Sequence, residues 1–161
     1  MSMALALAVS LSGSSGSIEK IYSDTGFEDI SAEELTSTPT RDSVGTAIAH
    51  KTVDSGELVA VAIRGDNYES EWCSNLTAGS EGDAKGFNDA ADKVLDRLRQ
   101  YISDNGLKDV KLWISGYSRA GAVADLMGKY INGHLGEFGS AAAALIVISA
   151  VAATAARRKQ R

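Results

Sequence analysis

The chain has 161 residues, a net charge of −5, 44% apolar and 23% charged residues, and a single cysteine, Cys73. That is the length of one domain with a globular balance, and it excludes a disordered chain, an internal disulfide framework and a basic stripe for nucleic acid. No Cys/His cluster has metal-ligand spacing, so neither a metal nor another cofactor is expected.

The opening "MSMALALAVSLSGSSGS" holds an apolar run, but no positive side chain precedes Lys20. It therefore reads as a buried helix rather than a signal peptide, and a cytoplasmic location is favoured. Ile18 to Asp24 reads as a short helix, with Ser17 as N-cap and Gly26 just past its end. Ser31 to Thr40 is turn-rich and holds the lone proline, Pro39. "VGTAIAHKTV" and "LVAVAIRG" then read as two strands joined through "DSGE", an antiparallel hairpin. The second is apolar nearly throughout, the mark of a central strand. A long loop spans Gly65 to Lys85. From Phe87 to about Ser103, Phe87, Ala90, Ala91, Val94, Leu95, Leu98, Tyr101 and Ile102 fall on one helical face, and Gly106 is the stop. "VKLWIS" reads as a short strand, and Ala120 to Ile131 as a helix ending near Asn132-Gly133. Strand, helix, strand, sharp turn, helix is α/β logic with a parallel pair at its heart.

The sharp turn is "KLWISGYSRAGAVADL", where Ser118 stands between Tyr117 and Arg119, with Gly116, Ala120 and Gly121 around it. Small residues at a strand-to-helix corner let the backbone turn tightly, and in a nucleophile elbow such a corner lifts a serine hydroxyl clear of the sheet. The helix N-terminus beneath it offers free N–H groups to a developing oxyanion. The same small residues also suit a tight corner without chemistry.

Taken together, "VAVAIRGDNYESEWCSNL", "GFNDAADKVLDRLRQYI" and "KLWISGYSRAGAVADL" resemble the class 3 (fungal-type) lipases, a branch of the α/β-hydrolase fold, and most nearly its bacterial lipase-like members. The resemblance covers roughly residues 1–133. It implies a partial α/β-hydrolase fold, with a mostly parallel sheet, flanking helices and a nucleophile elbow. It also implies a serine ester hydrolase acting on an acyl ester or lipid, with Ser118 as nucleophile. The N–H of Arg119 and that of Asp66 match the oxyanion-hole donors. Where the family carries Thr or Ser, this chain has Asp66, whose carboxylate would repel an oxyanion, so only its backbone N–H can serve. Ala120 replaces the second Gly of the Gly-x-Ser-x-Gly pattern. Bland readings stand beside these: Arg64-Gly65-Asp66 as a chance adhesion tripeptide, Trp72 as a loop anchor, Cys73 as a packed thiol, and the Asn75-Leu76-Thr77 sequon as meaningful only in a secretory setting.

The triad is where the resemblance runs out. After Ser118 come only Asp125, Glu137 and His134 as candidate partners, and His50 lies upstream in the hairpin. His134 follows the helix that starts at the elbow and is expected to be remote; His50 is expected to be structural. Residues 134–161, an Ala-rich apolar tail with a basic end, do not match the family. The tail invites three readings: the trace of a truncated family member that also lacks sequence before Met1, a diverged parallel strand at "ALIVISAV", or a membrane anchor with a basic flank. The first is favoured, with the tail poorly packed and helical, because Ala-rich runs favour helix. The runner-up function is a non-catalytic remnant or small membrane-associated protein with a vestigial elbow.

Overall fold

Helix α1 (Ser15–Asp24) opens the part of the chain that the structure, a computed structural model, describes: residues 15–35, 43–64, 83–117, 119–138 and 146–150. β1 (Glu28–Glu33), β2 (Thr46–Val53) and β3 (Gly56–Ile63) follow, then α2 (Asp83–Asp104), β4 (Val110–Tyr117), α3 (Arg119–Gly133), a 3₁₀ turn at Leu135–Glu137, and β5 (Ile146–Ala150). Both early helices stop where glycine takes over. At Gly26 (φ 77°) the Phe27 N–H reaches back to the Tyr22 carbonyl, and at Gly106 (φ 59°) the Leu107 N–H reaches the Ile102 carbonyl, each at 3.0 Å. This six-to-one bond across a left-handed residue is the Schellman stop that satisfies the last carbonyls of a helix.

The five strands form one sheet in the order β1-β2-β3-β4-β5. β2 and β3 pair antiparallel from Thr46 opposite Ile63 to Val53 opposite Gly56, as the hairpin reading expects. β3 and β4 pair parallel, Glu57 with Val110 through Ile63 with Gly116, and α2 lies between them in sequence as the crossover. The fold is thus α/β, with helices flanking a mixed sheet.

Three expectations need correction. The sheet is not mostly parallel, because two of its four pairings, β1–β2 and β2–β3, are antiparallel. The two-residue turn between β2 and β3 can only return the strand antiparallel, whereas the parallel pairs need the long helical connections. The stretch read as turn-rich from Ser31 begins inside β1, an edge strand whose six residues EDISAE hold only one strongly β-prone side chain, Ile30. Last, the tail is not helical where it is described. Ile146–Ala150 lies parallel beside β4, from Trp113 opposite Ile146 to Tyr117 opposite Ala150. The β-branched run of Ile146, Val147 and Ile148 outweighs the helix preference of the alanines before it.

The two sheet faces are packed differently. α2 and α3 cover the face that presents Ile48, Val59, Val61, Ile63, Leu112 and Ile114, and send Val94, Leu95, Leu98, Val123, Met127 and Ile131 into it. Each such side chain, fully buried, contributes about 1.5–3 kcal/mol. The opposite face offers small residues, Ala47, Ala49, Ala60 and Ala62, against which Ile18, Tyr22, Phe27 and Leu35 pack. Residues 1–14, which read as a buried helix, lie outside the described residues.

Candidate functional site

β4 ends at Tyr117 and α3 begins at Arg119, so a single residue, Ser118, separates strand from helix. Ser118 itself and Asp66 lie outside the described residues, as do Trp72, Cys73 and Asn75. Arg119 is the first residue of α3, Ala120 is fully buried, and Gly121 is buried beside it. How tightly strand and helix meet is recorded at Gly116. A Cβ built there would stand 2.2 Å from the Ala120 carbonyl oxygen and 2.9 Å from the Gly121 nitrogen. No side chain fits in that gap. The corner around residue 118 is therefore a close approach of two backbones, which is the physical reason for the small residues in the sequence.

β3 brings a second element to the same sheet end. Its last residue, Ile63, sits in register with Gly116, two residues before position 118. The chain thus leaves β3 toward residue 66, and leaves β4 toward residue 118, at the carboxyl ends of adjacent parallel strands, where α/β sheets form their ligand crevices. Arg64, just beyond β3, is buried. Its N–H donates to the Gly45 carbonyl at 2.8 Å, and its guanidinium donates to the carbonyls of Leu35 and Glu34 at 3.2 Å each. A groove of about 310 Å³ lined by Phe87, Ala122, Asp125, Leu126 and Lys129 runs along α2 and α3, starting one turn past the elbow.

Both histidines are engaged elsewhere. His50 pairs with Val59, which pairs with Leu112, so it stands level with a point five residues before the end of β4. At about 3.3 Å per residue and 4.8 Å per strand, that is roughly 16 Å along the sheet and 10 Å across it from the elbow. Its Nδ1 lies 2.9 Å from the Tyr101 hydroxyl, which donates to the Asp29 carbonyl at 2.8 Å. With the phenol proton committed, Nδ1–H must be the donor to the phenol oxygen. Burial, then the nearby Asp29 charge, raises the Tyr101 pKa and keeps that proton in place. His134 stands past the far end of α3, whose fifteen residues span about 22 Å. Its ring stacks on Tyr130 at 4.1 Å, and its Nδ1–H donates to the Tyr130 carbonyl at 2.8 Å. Tyr130 is tied in turn to Arg99 and Glu137. Asp125 sits on the outer, exposed side of α3.

Sequence reasoning missed a charged clamp beside the Arg64 turn. The Glu34 carboxylate accepts from the Val44 N–H at 2.6 Å, Lys93 at 2.7 Å and Arg97 at 2.9 Å. Arg97 also pairs with Glu33 at 2.9 Å and donates to the Val44 carbonyl and the Thr46 hydroxyl. No local signal could reveal it, because α2 meets the β1–β2 connection some sixty residues away in sequence. Burial works to raise the Glu34 pKa, but the Lys93, Val44 and Arg97 contacts outweigh it and hold the value at about 2. The folded pKa lies below the unfolded one, so the clamp's stabilisation is complete above about pH 4.5 and disappears as pH falls through about 2. With the carboxylate partly open to solvent, which screens its ion pairs, it is worth on the order of 1–2 kcal/mol. Glu34→Gln is expected to lose that much at pH 7 in chemical denaturation, and the gap to the parent should close near pH 2. An undiminished gap at low pH would show that the carboxylate charge is not what stabilises the turn.

Among the described residues no helix is long and apolar enough to cross a membrane, and no group of three or more His, Cys, Asp or Glu side chains could hold a metal ion. Compared with protein-family models, curated proteins and solved structures, the chain matches none.

Proposed function

We propose that this chain carries the nucleophile elbow of a lipase-type serine ester hydrolase, in a partial α/β-hydrolase fold of the class 3 kind. The observation that carries the reading is the jammed corner at Gly116: a parallel strand meets a helix with one serine between them and no room for a side chain. The adjacent parallel strand ends at the same height, which supports Asp66 as the second N–H donor beside that of Arg119. In the reaction, the Ser118 oxygen attacks the ester carbonyl and loses its proton to a base. The oxyanion draws on the two backbone N–H groups, and the alcohol leaves with a proton, giving an acyl-enzyme that water cleaves. The groove along Phe87, Ala122 and Leu126 offers an acyl chain an apolar surface one turn away.

The base is not His50 or His134, given where each is held. The same observation favours a second reading, a non-catalytic protein that keeps the elbow as a structural corner. Hydrolysis of p-nitrophenyl butyrate separates the two. The chain alone is expected to run close to background, with Ser118→Ala changing little. Imidazole cleaves p-nitrophenyl esters by itself, so rates are read above a protein-free imidazole blank. As an external base it should raise that excess roughly tenfold, below the 10²–10⁴ of a positioned base, and Ser118→Ala should abolish the rise. A rise above the blank that persists in Ser118→Ala, or none at all, favours the non-catalytic reading. Robust turnover without imidazole that His134→Ala destroys would show that His134 reaches the nucleophile after all.

A further inference from the structure

The sheet ends on two edges of unlike chemistry. β1 carries Glu28, Asp29 and Glu33 in six residues, and its ladder to β2 is irregular between Glu28 and Ser31. Asp29 and Glu34 adopt left-handed backbone angles, φ 48° and 54°. Charge and a bulge are the means by which a free edge refuses another strand. β5 has neither. Its five residues read IVISA, without charge, proline or glycine, and they run in unbroken register with β4. Among the described residues no strand pairs with its outer side. Backbone N–H and C=O groups along such an edge require partners, and an extended strand supplies them best.

We propose that the β5 edge joins two copies of this chain, β5 against β5, antiparallel about a two-fold axis at Ile148. The sequence of β5 suits pairing with itself: Ile146 falls opposite Ala150, Val147 opposite Ser149, and Ile148 opposite its own copy. A chain of net charge −5 resists its own approach at most surfaces, and β1 against β1 would oppose carboxylates. At β5 no charge is opposed. The helix layer accommodates the pairing as well, because α3 packs over both β4 and β5. A two-fold axis normal to the sheet keeps both copies of α3 on one face. Placed midway between β4 and β5, the two helices come to lie about two strand spacings apart, roughly 10 Å, the distance at which helices pack without overlap. Isologous pairing of this kind closes at two copies.

Sedimentation velocity over a concentration series tests the proposal, with hydrogen exchange of the β5 amides as a second readout. The full chain is expected to form a dimer as concentration rises, with β5 amides gaining protection in step. Ile148→Lys sets two cations against each other at the axis and should weaken association roughly tenfold or more, while Ser31→Lys on the β1 edge leaves it unchanged. Should Ile148→Lys fail to fold, Ile148→Cys in a Cys73→Ser background keeps the question answerable, since residues directly opposite across a pair can bridge. Oxidation should yield covalent dimers, and Val53→Cys should not. A monomer at every concentration, a dimer indifferent to Ile148→Lys, or open-ended assembly in place of a dimer would overturn the proposal.

Discussion

Gly116→Ala is expected to lower stability by about 3 kcal/mol, the upper end of what overpacking costs. The added methyl meets the Ala120 carbonyl at 2.2 Å and the Gly121 nitrogen at 2.9 Å. Neither neighbour is the flexible tip of a side chain. Relief requires moving the start of α3, and α3 is fixed by Ala120, Val123 and Met127, all fully buried. For a chain of this size the midpoint of thermal unfolding should fall by about 6–12 °C. Gly133→Ala is the matched control, because nothing lies within 4 Å of the Cβ it adds, and it should stay within about 0.5 kcal/mol. A Gly116→Ala variant as stable as that control would mean that β4 and α3 do not meet as tightly as the elbow reading requires.

Arg97→Ala is expected to cost about 3–4 kcal/mol. The guanidinium is nearly buried and spans two carboxylates, a carbonyl and a hydroxyl. Its removal leaves Glu34 with one cation fewer, takes the arginine donor from the Thr46 hydroxyl, and leaves the Val44 carbonyl with only that hydroxyl to donate to it. Breaking one side of such a network is far more costly than its net worth. Arg97→Lys should recover less than half of the loss, since one ammonium cannot reproduce the planar fork that reaches Glu33, Glu34 and the Val44 carbonyl together. A loss below about 1 kcal/mol for Arg97→Ala would place this network among ordinary surface ion pairs.

These two sites mark how much the sequence reveals. Periodicity is enough for α2, because Val94, Leu95, Leu98 and Tyr101 repeat on one face and Gly106 ends it. It is enough for the β2–β3 hairpin too, where apolar runs flank a short turn. The small residues around Ser118 correctly point to a strand-to-helix corner, because a close backbone approach leaves a compositional trace. β1 leaves none: its place is set by pairing with β2 and by the arginine clamp, while EDISAE alone resembles a loop. β5 is ambiguous in isolation, with alanines that favour helix beside β-branched residues that favour strand, and the open side of β4 decides between them. The partners of Ser118 are the least legible, since a triad is assembled in space from distant segments. The two histidines are legible as poor bases from chain position alone, whereas the tyrosines that hold them, Tyr101 and Tyr130, are not.

The most direct test of the elbow is labelling with a fluorophosphonate, which reports a serine able to attack without requiring the right substrate, followed by peptide mapping. With imidazole present, the adduct is predicted on Ser118, absent from Ser118→Ala and unchanged in His50→Ala and His134→Ala. Finding no adduct on Ser118 under these conditions, or an adduct on another residue at equal rate, would contradict the account.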